Sequence, residues 1–121
     1  MNGLEEVELE PESTLARLMG RRKVENAYRK VNNLVANSPI FQIYHDGVLA
    51  VLRSYGITFE EARPRLLELY RTVLRHFAKN GKLEGLDAEH VERLGELFGF
   101  SLEYMAEVNK AELAKLDASA K

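Results

Sequence analysis

Apolar positions recur at three- and four-residue intervals along most of the chain, and the pattern breaks at a few clear punctuation points. Val24, Ala27, Tyr28, Val31, Leu34 and Val35 fall on one face of a helix that Ser13 or Thr14 can cap and that runs toward Asn37. Gly20 either kinks that stretch or splits off a short first piece. Ser38-Pro39 is a start signal, with Ser at the N-cap and Pro at the first helical position, where a missing N–H costs nothing. A second helix is expected from there to Tyr55, with Gly56 as its C-cap. Gln42, His45, Asp46 and Arg53 share one narrow strip of it, and apolar side chains from Ile40 to Tyr55 cover most of the rest. A helix apolar nearly all round belongs in the interior. Gly47 on its apolar side gives a neighbour room to approach.

Thr58 and Glu61 have the spacing of a capping box for a third helix. Pro64 lies beyond the first turn, so this helix either kinks there or begins there. Leu66, Leu69, Tyr70, Val73 and Phe77 form its core stripe, and Gly81 is expected to end it after Lys79 or Asn80. Asp87 is the expected cap of a fourth helix, with Val91, Leu94, Gly95 and Phe98 on one face and Gly99 at its end. Ser101 is the expected cap of a fifth, with Leu102, Met105, Ala106 and Leu113 inward. Sustained period-two alternation is absent, so no sheet is expected. The pattern predicts an all-α fold: a compact bundle of about five helices around a buried central second helix, with a helix-turn-helix-like corner at the C-terminal end. One domain is expected over 13–117, between an acidic flexible tail (1–12) and a frayed end (118–121).

Composition sets limits on this picture. With 121 residues the chain is long enough to build one core without staples. It has no cysteine, which excludes disulfides, a thiol nucleophile and Cys-based metal sites. Neither a run of ~18 apolar residues nor the apolar segment of a signal peptide is present, so a cytoplasmic location and no membrane partner are expected.

Charge changes the picture more. The net charge of −2 hides strong segregation. Residues 1–12 carry −5, residues 13–37 carry +5, residues 38–82 carry +3 and residues 83–121 carry −5. A basic body between acidic ends points to a polyanion or an acidic partner. On the third helix Arg71, Arg75, Lys79 and Lys82 fall within about 80° of one another, in a row about 16 Å long if Lys82 is helical. Such a row can neutralise successive phosphates. Arg21, Arg22, Lys23 and Arg29 add to it from the first helix. The competing reading is a solvated face, since Glu68 can pair with Arg71 or Arg75.

The stretch Val91 to Lys110, VERLGELFGFSLEYMAEVNK, resembles the helix-turn-helix pattern of bacterial and phage repressors. Gly95 sits in its first helix, Gly99 in the turn, and Leu94, Phe98, Phe100, Met105 and Val108 at the core positions. The resemblance implies a DNA-reading second helix. A reader presents Arg, Lys, Asn, Gln or Ser outward, whereas the outward candidates here are Glu103, Tyr104, Glu107 and Asn109. The segment therefore reads as a corner with repressor-like packing.

No catalytic motif is present. His45, His76 and His90 lack the spacing of a zinc or di-iron site, and no Gly-rich phosphate loop or Gly-x-Ser-x-Gly occurs. No metal, no cofactor and no enzymatic activity are expected. Two functional readings follow. The first is a nucleic-acid-associated accessory protein touching phosphate backbone through Arg71, Arg75, Lys79, Lys82, Arg21, Arg22, Lys23 and Arg29. The alternative is a protein–protein adaptor or regulatory subunit, binding an acidic protein or forming a charge-complementary homodimer.

Overall fold

A computed structural model describes residues 2–11, 24–78 and 81–120, and among these it is all helical with no strand. The helices are α1 (Val24–Asn37), α2 (His45–Ser54), α3 (Phe59–Phe77), α4 (Gly85–Leu97) and α5 (Leu102–Ala120), with a 3-10 turn, Ile40–Gln42, between α1 and α2. They pack against one another around one core. Ser13, Thr14 and Gly20, read above as the start of the first helix, lie outside the described residues.

The expected second helix is divided. Pro39 leads only into the 3-10 turn, Ile43 is extended, and α2 begins after Tyr44. Ile40 and Ile43 are β-branched and poorly suited to a helix interior; in the broken form both are buried. The break also frees the Ile43 carbonyl, which accepts a 2.7 Å hydrogen bond from Arg93 Nη2 of α4. Phe41 and Tyr44, expected inside, are exposed. α2 still reaches the core through Val48 and Leu52, but the longest buried row belongs to α3: Ala62, Leu66, Tyr70, Val73 and Leu74. α3 packs against each of the other four helices.

The Thr58–Glu61 capping box forms, so α3 starts at Phe59 and passes through Pro64 without restarting there. Its ring leaves the Glu60 carbonyl without the usual donor, on a face where both residues are exposed to water. α3 ends at Phe77, so Lys82 lies in the loop beyond it and not in a helical row. α4 begins at Gly85, which places Asp87 in the first turn and not at the cap. α2 and α4 end alike. Gly56 and Gly99 adopt positive φ. Ile57 N–H then donates to Leu52 O, and Phe100 N–H to Gly95 O, closing each helix in a Schellman motif. Ser101 Oγ accepts from Tyr104 N–H at the start of α5.

The turn of α5 differs from the expected one. Met105 and Val108 are buried, whereas Leu102 and Ala106 face outward. The third buried position is an acid, Glu112, which an apolar-stripe reading passes over.

Candidate peptide seat on the first helix

α1 holds four asparagines in fourteen residues, Asn26, Asn32, Asn33 and Asn37. Asparagine is a poor helix former, because its carboxamide competes for backbone partners. Here those carboxamides serve another stretch of backbone. Residues 2–11 do not hang free as a tail; they lie extended along α1 and run antiparallel to it. Val7 N–H donates to Asn33 Oδ1 and Asn33 Nδ2 donates to Val7 O, both at 2.8 Å. Glu10 N–H donates to Asn26 Oδ1 at 2.7 Å and Asn26 Nδ2 donates to Glu10 O at 2.8 Å. A carboxamide presents one acceptor and a pair of donors, so each asparagine acts as a neighbouring strand would.

The spacing explains the match. Asn26 and Asn33 are two turns apart, about 10 Å along a helix axis. Val7 and Glu10 are three residues apart, also about 10 Å in an extended chain. Ahead of the first pair Asn32 Nδ2 donates to Glu5 O at 2.7 Å, and between the pairs Arg29 Nη1 donates to Glu8 O at 2.8 Å. Side chains contribute little here, since Val7 and Leu9 are exposed.

The segment is anchored at its start. Asn2 is buried, and its Nδ2 donates to the Val35 carbonyl at 3.0 Å, one of the carbonyls left open in the last turn of α1. Its Oδ1 accepts from Leu4 N–H, and Leu4 packs on the core. Gly3 has φ +85°, and a Cβ there would lie 2.7 Å from His76 Cβ on α3. Beside the seat, an open cleft of about 440 Å³ is lined by Glu8, Tyr28, Arg29, Asn32, Arg65 and Thr72 among others. Arg65 clamps its wall: it forms a two-pronged ion pair with Glu25 and lies 4.5 Å over the Tyr28 ring. The Arg65 hydrogen bonds hold the Glu25 carboxyl below the usual carboxylate range.

The candidate cations separate. Arg29 turns to the segment, with Glu10 Oε1 at 3.5 Å as its ion-pair partner. Arg71 and Arg75 turn to α5 and converge on Glu112. Arg75 Nε donates to Glu112 Oε2 at 3.1 Å, Arg71 Nε lies 3.3 Å from Oε1, and Lys115 Nζ lies 3.7 Å from Oε1. Arg71 also pairs with Glu68 at 3.0 Å. The Arg75 hydrogen bond leads in lowering the Glu112 pKa; burial opposes it, and the nearby cations reinforce it. Lys82 is exposed in its loop. Arg21, Arg22, Lys23 and Lys79 lie outside the described residues. Arg29 is therefore engaged with the segment, and Arg71 and Arg75 with Glu112.

Two of the residues expected outward on the repressor-like corner turn in. Asn109 Oδ1 accepts from the buried Tyr70 hydroxyl, whose pKa burial pushes up to about 12. Tyr104 packs edge-on against Phe100. The histidines have packing partners: His45 stacks on Phe59 and contacts Leu97 O, His76 lies under Gly3, and His90 meets Phe77. Among the described residues no three His, Asp or Glu side chains are grouped to hold a metal ion, and no helix is long and apolar enough to cross a membrane. The asparagines of the seat escaped the sequence reading, although their crowding in one helix was a visible signal. No family model, curated protein or solved structure matches the chain.

Proposed function

We propose that the chain is a protein–protein interaction module, an adaptor or regulatory subunit, whose working surface is the α1 face that holds an extended segment by its backbone. The observation that supports this is the pair of two-way hydrogen bonds from Asn26 and Asn33 to the backbone of Glu10 and Val7. Pairing by main-chain atoms is how extended peptides join other proteins. Here a helix supplies the edge through its side chains. Placing several asparagines in a helix costs helix stability, and their bonds to the segment offset that cost.

The phosphate-binding reading has less behind it. Arg29, Arg71 and Arg75 already serve acceptors of this chain. A phosphate on α3 would have to draw Arg71 and Arg75 from Glu112, a carboxylate that is 2 % exposed, and stranding a buried carboxylate is costly.

Residue-resolved hydrogen exchange tests the reading. The Val7 and Glu10 amides are expected to be protected in the intact chain. Asn33→Ala should release Val7 and Asn26→Ala should release Glu10, while α4 stays protected in both. Free-peptide exchange rates at Val7 and Glu10 in the unaltered chain would remove the seat, and the proposal with it.

A further inference from the structure

Resting on that reading, we infer that the seat accepts, from a second protein, an extended segment that ends in an acidic residue, and that residues 2–11 are the built-in competitor for it. The occupant defines the ligand. Four of its backbone carbonyls, at Glu5, Val7, Glu8 and Glu10, accept from α1 side chains, and its N–H groups at Val7 and Glu10 donate to them. None of these bonds depends on covalent attachment to α1, so the same bonds are open to a separate chain.

Selectivity comes from four positions. An asparagine corresponding to Asn2 reaches the open Val35 carbonyl. A glycine follows, because positive φ and the approach to His76 exclude a Cβ. A leucine corresponding to Leu4 packs on the core. A carboxylate corresponding to Glu10 meets Arg29. Glu5, Glu6, Val7, Glu8 and Leu9 are exposed, so their side chains are free to vary, provided that position 7 keeps its N–H. The ligand class is therefore Asn-Gly-Leu, five variable residues, then an acid, in extended form. Because the competitor belongs to the same chain as the seat, its binding there is intramolecular and is favoured over that of a separate segment. An external segment of equal intrinsic affinity is then excluded until the internal one is loosened.

The test uses a labelled synthetic peptide with the sequence of residues 2–11, titrated by fluorescence anisotropy into full-length chains. Two variants open the seat by different routes. Val7→Pro removes the N–H donated to Asn33, and Gly3→Ala drives a Cβ into His76. Circular dichroism verifies that each remains helical, and hydrogen exchange verifies that Glu10 has been released. Both are expected to bind the peptide at least ~tenfold more tightly than the unaltered chain. A peptide carrying the Gly3→Ala change should not bind. If neither opened variant binds at about 1 mM peptide, the seat is intramolecular only and this inference is wrong, while protected Val7 and Glu10 amides in the unaltered chain would still uphold the seat itself. Equal binding by opened and unaltered chains would overturn the competition. Equal binding of the Gly3→Ala peptide would overturn the sequence pattern.

Discussion

Glu112 decides what the basic face of α3 does. Its carboxylate is buried between Arg71 and Arg75, and its pKa is lowered chiefly by the Arg75 hydrogen bond. Glu112→Gln keeps the shape, loses the charge and leaves two guanidinium groups facing a neutral amide. Both arginines are partly exposed, so water screens part of the loss, and a destabilisation of about 1–2 kcal/mol is expected at neutral pH. The pH dependence has a definite sign. A carboxyl whose pKa is lowered by folding stabilises the fold above the ordinary glutamate range, and that contribution disappears as pH falls through the lowered value. Urea unfolding of the two chains should therefore differ at pH 7 and converge in acid. A gap that persists unchanged at pH 3 would show that the carboxylate charge is not what stabilises this contact. Residue identity alone could not reveal this arrangement, because an acid on an amphipathic helix reads as solvent-facing. The seat was more legible. Asn26 and Asn33 stand seven residues apart in a helix otherwise well patterned, and their carboxamides pair with Glu10 and Val7.

The elements were legible wherever local chemistry fixes their ends. Thr58–Glu61, Gly56, Gly99 and Ser101 stop or start helices as their side chains and φ values require. They were illegible where tertiary contacts prevail. The turn from Pro39 to Tyr44 is held open by Arg93 on the Ile43 carbonyl, a residue fifty positions away. The α4–α5 corner falls between these cases. Its pattern placed Gly95 in the first helix of the corner, and a Cβ there would lie 2.0 Å from Met105 Sδ and 2.9 Å from Cγ. Gly95→Ala gains helix propensity of about 1 kcal/mol, but forces Met105 to repack in a core where overpacking costs about 1–3 kcal/mol. The single variant is expected to be destabilised on balance. In a Met105→Ala background the clash is gone, and the same change should turn stabilising. Denaturation of the four chains of this cycle checks it, and a change of equal sign in both backgrounds would separate Gly95 from Met105.

At the scale of the whole molecule, acidic and basic stretches that are separate in the sequence meet in space among the described residues. Acidic residues 2–11 lie on α1, where Arg29 meets Glu10. In the acidic C-terminal stretch, Glu112 of α5 packs against α3, where it meets Arg71 and Arg75. A one-dimensional charge profile gives the signs of these blocks but not their fold-back, so it leaves pairing within a chain and pairing between chains equally open. Pairing within the chain weakens the electrostatic reason for a homodimer, because the charges of Arg29, Arg71 and Arg75 already meet carboxylates of the same chain. The expected state is a monomer whose mass by light scattering is the same from about 20 to 300 mM salt, although screening over that range shortens from roughly 20 to 6 Å. A dimer that forms at low salt and dissociates at high salt would mean that the exposed charges still complement one another between copies. The opened Val7→Pro chain makes the experiment sharper. Its seat is open but its own segment lacks the N–H donated to Asn33. Mixed with an Asn26→Ala, Asn33→Ala chain, whose intact segment is released, it should form a dimer with rising concentration if the segment exchanges between copies, while the unaltered chain does not.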